Sequence, residues 1–518
     1  MEFRLCFNFP MKKIIPVVFC ALLFPCLSFG QQAIGTWRVH FPFNQAKSVT
    51  ETNDKIYVAA NDALFYYNKK DNSVQSISKV NGLSDIGVNA VKYNASTKSI
   101  VVGYSNGNID IFKNNTVINI ADIKRKAIAG GKSINHIYFI NQYAYLSCSF
   151  GIVVLDTDRD EIKDTYYVSS GSSSTPVYAT CSDNTYLYAA AENGVFRASL
   201  NDPYIYNPAN WSLLLSPLAG SGPYNLIASF QNKIIVNHQL GNGQDSSLIY
   251  DGSNWNSVAF DGLTPNKSFY ADGNNFIVAN LYSINVLDGN MNKTLKISDY
   301  NGKAAQPTDA INGSGNNILI ADGYYGLVTY NQGTTEFIYP NGPLSGRAAQ
   351  LKISNSNLWV GHAIRNNNWL PIDSRDGSSH FVNNTWQTYN GKTVPPQTFS
   401  IDSIADLVAT CIDPQNPNHV FFGSWGHGVL ENNNGVFTLY NSSNSPLQNL
   451  VGFPGYYSLR VGGLAFDQQN NLWMTNTYVD SSIVVKKTDG SWKRFNPPYA
   501  DASNIMADVL IDNFNYKW

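Results

Sequence analysis

One short pattern recurs ten times along this chain and leaves few folds open to it. "SIVVGYSNGNIDIF" (99–112), "YLYAAAENGVFRASL" (186–200) and "NILIADGYYGLVTYN" (317–331) each read as an apolar run, a polar turn and a second run alternating with period two. Counterparts begin at residues 55, 144, 233 and 275, and three more at 357, 419 and 471. Through the first seven, the centres fall roughly 40–47 residues apart, the length of a four-stranded propeller blade. An inner strand precedes each pair, as in "VNAVKYN" (88–94) and "INHIYFIN" (134–141). An outer strand follows, often led by Trp: "NWSLLL" (210–215), "NWNSVAF" (254–260), "TWQTYN" (385–390) and "SWKRFN" (491–496). Gly107, Gly151, Gly194, Gly326 and Gly428 stand between the middle strands, where a tight hairpin needs a residue that accepts positive φ.

A single four-stranded sheet has two apolar faces and cannot bury both alone. Blades stacked in a ring cover each face with a neighbour. The expected fold is therefore all-β: a seven-bladed β-propeller followed by a second, incomplete β-propeller, both of four-stranded antiparallel blades. The first ring is assigned to 31–345 and the opening blades of the second to 346–518, where "YPNGPLSG" (339–346) echoes "VNGLSD" (80–85). Three blades of the second ring are written, and "NIMADVLIDNFNYKW" (504–518) reads as the opening strand of another, so the chain is expected to be truncated there. "TWRVHF" (36–41) reads as an outer strand with no blade before it, suited to closing either ring.

The N-terminus carries an export address. From Met11, a basic start at Lys12 and Lys13 leads into an apolar stretch over 14–27 that is short for a membrane span, then small residues before Gln31. Residues 1–30 are read as a secretory signal peptide with its true start at Met11; Phe24 and Pro25 before Cys26 argue against a lipoprotein signal. Behind it, Cys148, Cys181 and Cys411 are far apart and odd in number, which fits buried strand residues and no disulfide framework. Charged residues make up 14% of the chain and the formal net charge is −2, which excludes a strong field for nucleic acid.

No catalytic constellation stands out. His40, His136, His238, His362 and His427 share no metal-ligand spacing, and neither a GxSxG nor an HExxH motif is present. "SRDGSSHF" (374–381) resembles a sialidase Asp-box in one copy, with Arg375 where the first Asp belongs. "DTDRDE" (156–161) lacks the Gly and closing Glu of a calcium loop, and "DIKRKAIAGGK" (122–132) reads as a charged inter-blade loop. The second ring carries longer segments: "GHAIRNNNWLPIDSRDGSSH" (361–380), "TVPPQTFSIDSIAD" (393–406) and "NLVGFPGYYSLRVGG" (449–463). Extended loops on a rigid ring are where binding surfaces are built. His362, Arg365, Trp369, Arg375, Tyr456, Tyr457 and Arg460 lie on them. Aromatic faces stack on sugars and Arg pairs with phosphate or carboxylate, so this mixture suits an anionic glycan.

The phrases "LWVG" (358–361) with a Gly hairpin and a Trp-led outer strand resemble the extracellular propeller repeats of Bacteroidetes two-component sensors. The signal peptide ending "SFGQQ", then "IGTWRVHFPF" and "KIYVAANDALFYYNKKDNSVQSISKVNGLSD", is similar to the start of the PorZ family of the type IX secretion system. That resemblance covers essentially the whole mature chain. It implies two seven-bladed propellers and a C-terminal sandwich domain, of which this sequence lacks the rest of the second ring and the sandwich. It further implies a protein exported through the periplasm to the outer-membrane surface. There it would bind anionic lipopolysaccharide and hand it to the sortase PorU, beside PorV and PorQ, without catalysis, cofactor or metal. Two other readings follow from the sequence: a carbohydrate-sensing ectodomain of a two-component regulator, and a propeller glycan hydrolase or lyase.

Overall fold

The computed structural model describes residues 37–518 except 170–173, 217–221, 242, 263, 392, 395–398, 454 and 499–502. The expected signal peptide lies outside the described residues. The chain divides into two units, Met1–Val39 and His40–Trp518, and all strands among the described residues lie in the second. Helix is confined to one turn at Asp122–Arg125 and three single 3-10 turns among the described residues. None is long and apolar enough to cross a membrane.

Seven four-stranded sheets follow one another over 46–77, 88–120, 134–166, 177–215, 224–258, 266–297 and 307–338. All pairings within them are antiparallel and run in chain order, so each blade is a local meander. Successive inner strands touch around the ring, and the seventh, Pro307–Asn312, returns to the first, Ala46–Glu51. Every sheet keeps its own four strands, so the ring closes by side-chain and edge contacts rather than by a shared sheet. At the seam, Asp309 Oδ2 accepts the buried Val49 N–H at 3.1 Å, and Thr308 Oγ1 donates to the Ala46 carbonyl at 2.9 Å.

Two sequence details explain how blades stack. The second strand of most blades carries a small residue near its end, such as the Gly of "VVG", "WVG" and "FFG". A Cβ built on Gly103 would lie 2.6 Å from Ile134, on Gly361 2.5 Å from the Leu407 carbonyl oxygen, and on Gly423 2.7 Å from that of Val461. All three obstacles are the inner strand of the following blade, so the small residue sets how closely blades approach. The inner strands also carry a β-bulge at one recurring position: Lys47, Asn89, Asn135, Tyr178, Asn225, Lys267 and Thr308 are the extra residues. Asn89 Nδ2 donates to the Ile134 carbonyl at 2.8 Å and Asn135 Nδ2 to that of Val177 at 2.9 Å, tying each blade to the next.

The core is a series of layers between blades, such as Val101, Ile109, Ile111, Ile137 and Leu146 between the second and third. Cys148, Cys181 and Cys411 are buried free thiols in strands. Their burial pushes the thiol pKa of Cys148 and Cys411 up to about 12, so none is poised as a nucleophile.

After the first ring come three further blades that do not close: a four-stranded sheet over 348–389, then blades over 407–440 and 459–495. The last two merge into one eight-stranded sheet, because the long strand Asn416–Gly426 pairs at its end with Leu459–Phe466. The inner strand Ala348–Ser354 exposes Leu351 and Ile353. At the other end, residues 506–508 run against Gly462 and Gly463, and Thr475 and Thr477 both donate to the Met506 carbonyl. That segment takes the position of a following inner strand. His40 packs edge-on against Phe381 and Trp386 and accepts a hydrogen bond from the Trp386 indole at 2.9 Å. Among the described residues, the 37–41 segment forms no strand of either ring.

Candidate functional site

The insertion 363–377 leaves the strand Asn357–His362 and returns at Ser378–Val382. It is held from beneath by Asp406, whose carboxylate accepts the backbone N–H groups of Ile372 and Asp373 at 3.0 Å and of Ser374 at 2.9 Å. Burial raises the Asp406 pKa, and these three donors oppose it. Asn366 Oδ1 accepts from Asn368 and Leu370 at 2.9 Å each, curling the tip into a turn. Trp369 follows in a left-handed conformation, φ 58, which a bulky residue adopts only when its surroundings impose it.

What imposes it is Trp425. This indole is fully buried at the junction of the merged sheets and donates Nε1–H to the Trp369 carbonyl at 2.7 Å. The two indoles meet at 6.0 Å between centroids, inclined by 49°. The Arg365 guanidinium lies 4.4 Å from the Trp425 ring centroid and 4.7 Å from that of Trp369. Arg460 is cross-strand partner of Trp425, 5.6 Å from its ring and 5.4 Å from that of Tyr478. Burial lowers the Arg365 pKa against the pull of Asp508, yet a guanidinium remains a cation at neutral pH. Two cations and three aromatic rings thus share one cluster, with Trp369 partly open to solvent.

The structure brings together only part of the residue set expected from sequence. Arg365, Trp369 and Arg460 converge on Trp425. Tyr456 and Tyr457 are exposed on the segment 449–463 with Val451 and Phe453, and Val451 N–H bonds to the Tyr478 carbonyl at 3.1 Å beside the cluster. Arg375 stands apart: it is exposed and donates to the Asp402 carbonyl. His362 departs from the loop placement that the sequence suggested. It ends a strand, is 1% exposed, and its Nε2 lies 2.6 Å from Ser379 Oγ. Burial lowers its pKa, so it is a neutral core residue. Tyr104, His238 and Asp322 occupy the same strand-end position in other blades and also bond inward, to Asp110, Gly222 and Gln306. Arg460 likewise belongs to a strand and is 5% exposed, its Nε donating to Ser458 Oγ at 3.2 Å.

Sequence reading missed Trp425, Tyr478 and Asp406. Trp425 belongs to "SWGHG", two residues beyond Gly423, where the strand runs on past the point at which the blade's small residue stands. No spacing rule links Asp406 to residues 372–374. Among the described residues, no group of three or more His, Cys, Asp or Glu is arranged to hold a metal ion.

The sequence model of the family "TSS9, PorZ, N-terminal beta-propeller domain" matches residues 56–212, most of the first four blades. Among solved structures, the chain is similar to PorZ of Porphyromonas gingivalis, described as an essential bacterial surface component of the type IX secretion system. The identity is 22% and the TM-score 0.76, over 93% of this chain and 63% of that one. The chain therefore spans under two thirds of that protein. The extracellular domain of a hybrid two-component system from B. thetaiotaomicron aligns at 14% identity and TM-score 0.43, covering 92% of this chain and 68% of that one. No curated protein sequence matches the chain. Residues 56–212 thus match the PorZ N-terminal propeller model, and the PorZ fold is shared along nearly the whole chain.

Proposed function

We propose that this protein is a non-catalytic cell-surface component of the type IX secretion system that binds anionic lipopolysaccharide and delivers it to the sortase PorU, in an attachment complex with PorV and PorQ. Export through the segment 1–30 would bring it to the periplasm and outer-membrane surface, with 31–345 as the first propeller and 346–518 as blades of the second. The observation that carries this reading is the PorZ-domain match, joined to a fold likeness spanning 93% of the chain. The cluster of Arg365, Trp369, Trp425 and Arg460 supports it chemically: guanidinium groups meet phosphate or carboxylate, and indole and phenol faces meet sugar rings.

Deleting the gene tests the cellular role. Cargo proteins are expected to lose their lipid-linked modification and to be shed or retained; normal surface anchoring would contradict the reading. In vitro, the purified chain should bind anionic lipopolysaccharide. Trp369→Ala and Arg365→Ala should each weaken binding about tenfold, roughly 1.4 kcal/mol. Unchanged binding in both would move the site elsewhere.

A further inference from the structure

The bulge residues of the first ring differ in what they do. Asn89, Asn135 and Thr308 each bond to the adjacent blade. Lys47 and Lys267, at the same position in the first and sixth blades, are exposed and make no such bond to the adjacent blade among the described residues. Both line one cavity of about 350 Å³ at the axis, formed by inner strands of all seven blades. Lys92 reaches into it from the second blade and comes within 6.0 Å of the Tyr270 ring from the sixth, across the axis. The cavity continues into a second of about 480 Å³ that shares Lys92, His136 and Phe269 with it.

The charge balance of the first cavity is one-sided. Three lysines, Lys47, Lys92 and Lys267, line it with one acidic residue, Asp309, whose carboxylate already accepts the Val49 N–H. Tyr178, Asn225 and Gln239 add polar groups, and the buried His136 Nδ1 has no hydrogen-bond partner among the described residues. In a chain with so few charges, three lysines at the axis of a ring concentrate positive potential where low-dielectric walls focus it. A volume of this size falls within the range of small-molecule sites.

We propose that the axial cavity of the first ring is a binding site for a sugar-sized oxyanion, a carboxylate- or phosphate-bearing small molecule, held by Lys47, Lys92 and Lys267. The amide and hydroxyl groups of the bulge ring face its hydroxyls. This site is separate from the Arg365–Trp425–Arg460 cluster of the second blade set.

Isothermal titration of the full chain with galacturonate, glucose 1-phosphate, inorganic phosphate and neutral glucose tests it. Saturable one-to-one binding of at least one anion, absent for glucose, is expected. Lys47→Ala/Lys267→Ala should weaken it tenfold or more, and Lys47→Arg/Lys267→Arg should largely restore it. Galacturonate as the preferred ligand would identify the anion as a carboxylate, and glucose 1-phosphate as a phosphate ester. Phosphate binding as tightly as the sugar ester would support the charge site and reject the sugar requirement. Arg365→Ala should leave all these titrations unchanged, which separates this site from the lipopolysaccharide reading. The proposal is overturned if no anion saturates, if glucose binds equally, or if the double alanine variant, folded by circular dichroism, binds as wild type.

Discussion

His419 lies between two carboxylates, its Nδ1 2.8 Å from Asp413 and its Nε2 2.7 Å from Glu431. Burial alone would lower its pKa; the hydrogen bonds its ring donates to Glu431 and Asp413 more than reverse this and hold it raised. Glu431 shows the converse: burial raises it, but His419 and the Tyr440 hydroxyl bring it below the usual range. A raised histidine stabilises the fold fully below its unfolded pKa of about 6.5, and that contribution fades as pH rises through the folded value. A lowered carboxyl contributes above its unfolded pKa, 4.5, and fades as pH falls. The triad therefore stabilises most between these limits. His419→Gln should lower stability by about 1–3 kcal/mol in that window and by less above neutrality. Thermal unfolding measured across pH would show the two proteins converging as pH rises; a constant gap would refute the coupling. None of this was legible in sequence. Its partners are 6 and 12 residues away across a β-hairpin, a spacing that marks no motif.

At the scale of the element, the hairpin glycines were visible in the sequence but their main constraint was not. Gly428 has φ 102, as a tight turn requires, yet a Cβ there would also overlap the Tyr440 carbonyl of the outer strand. Gly435 has φ 89 and open space around it. Gly428→Ala should therefore destabilise by about 2–4 kcal/mol, combining the left-handed penalty with overpacking, and Gly435→Ala by only about 1–2 kcal/mol. Urea denaturation of the two variants compares them directly; equal losses would mean that the crossing strand yields. Strand positions, hairpins and Trp-led outer strands followed from apolar periodicity, since each depends on neighbours within one blade. The bulges did not, because an extra inner-strand residue satisfies the next blade and leaves the local alternation nearly intact.

For the whole molecule, ring closure rests on a seam between segments some 260 residues apart. Asp309→Ala leaves the buried Val49 N–H without its acceptor and should lower stability by about 1–3 kcal/mol. Hydrogen exchange should rise first in the first and seventh blades; a uniform rise would show that the ring opens as one unit. The open set of three blades makes a second expectation. Ile353, 74% exposed on the inner strand Ala348–Ser354, offers an apolar edge. Ile353→Lys should reduce light scattering at high protein concentration without shifting the melting temperature. The all-β class, the blade length and the count of repeats were fixed by sequence alone, because a strand's apolar alternation is a local property that each blade restates. The joining of Arg365, Trp369, Trp425 and Arg460, the burial of His362 and the lysine-lined axis were settled only by tertiary structure. Each depends on which blade faces which, and that distance is set by packing around the ring, not by spacing along the chain.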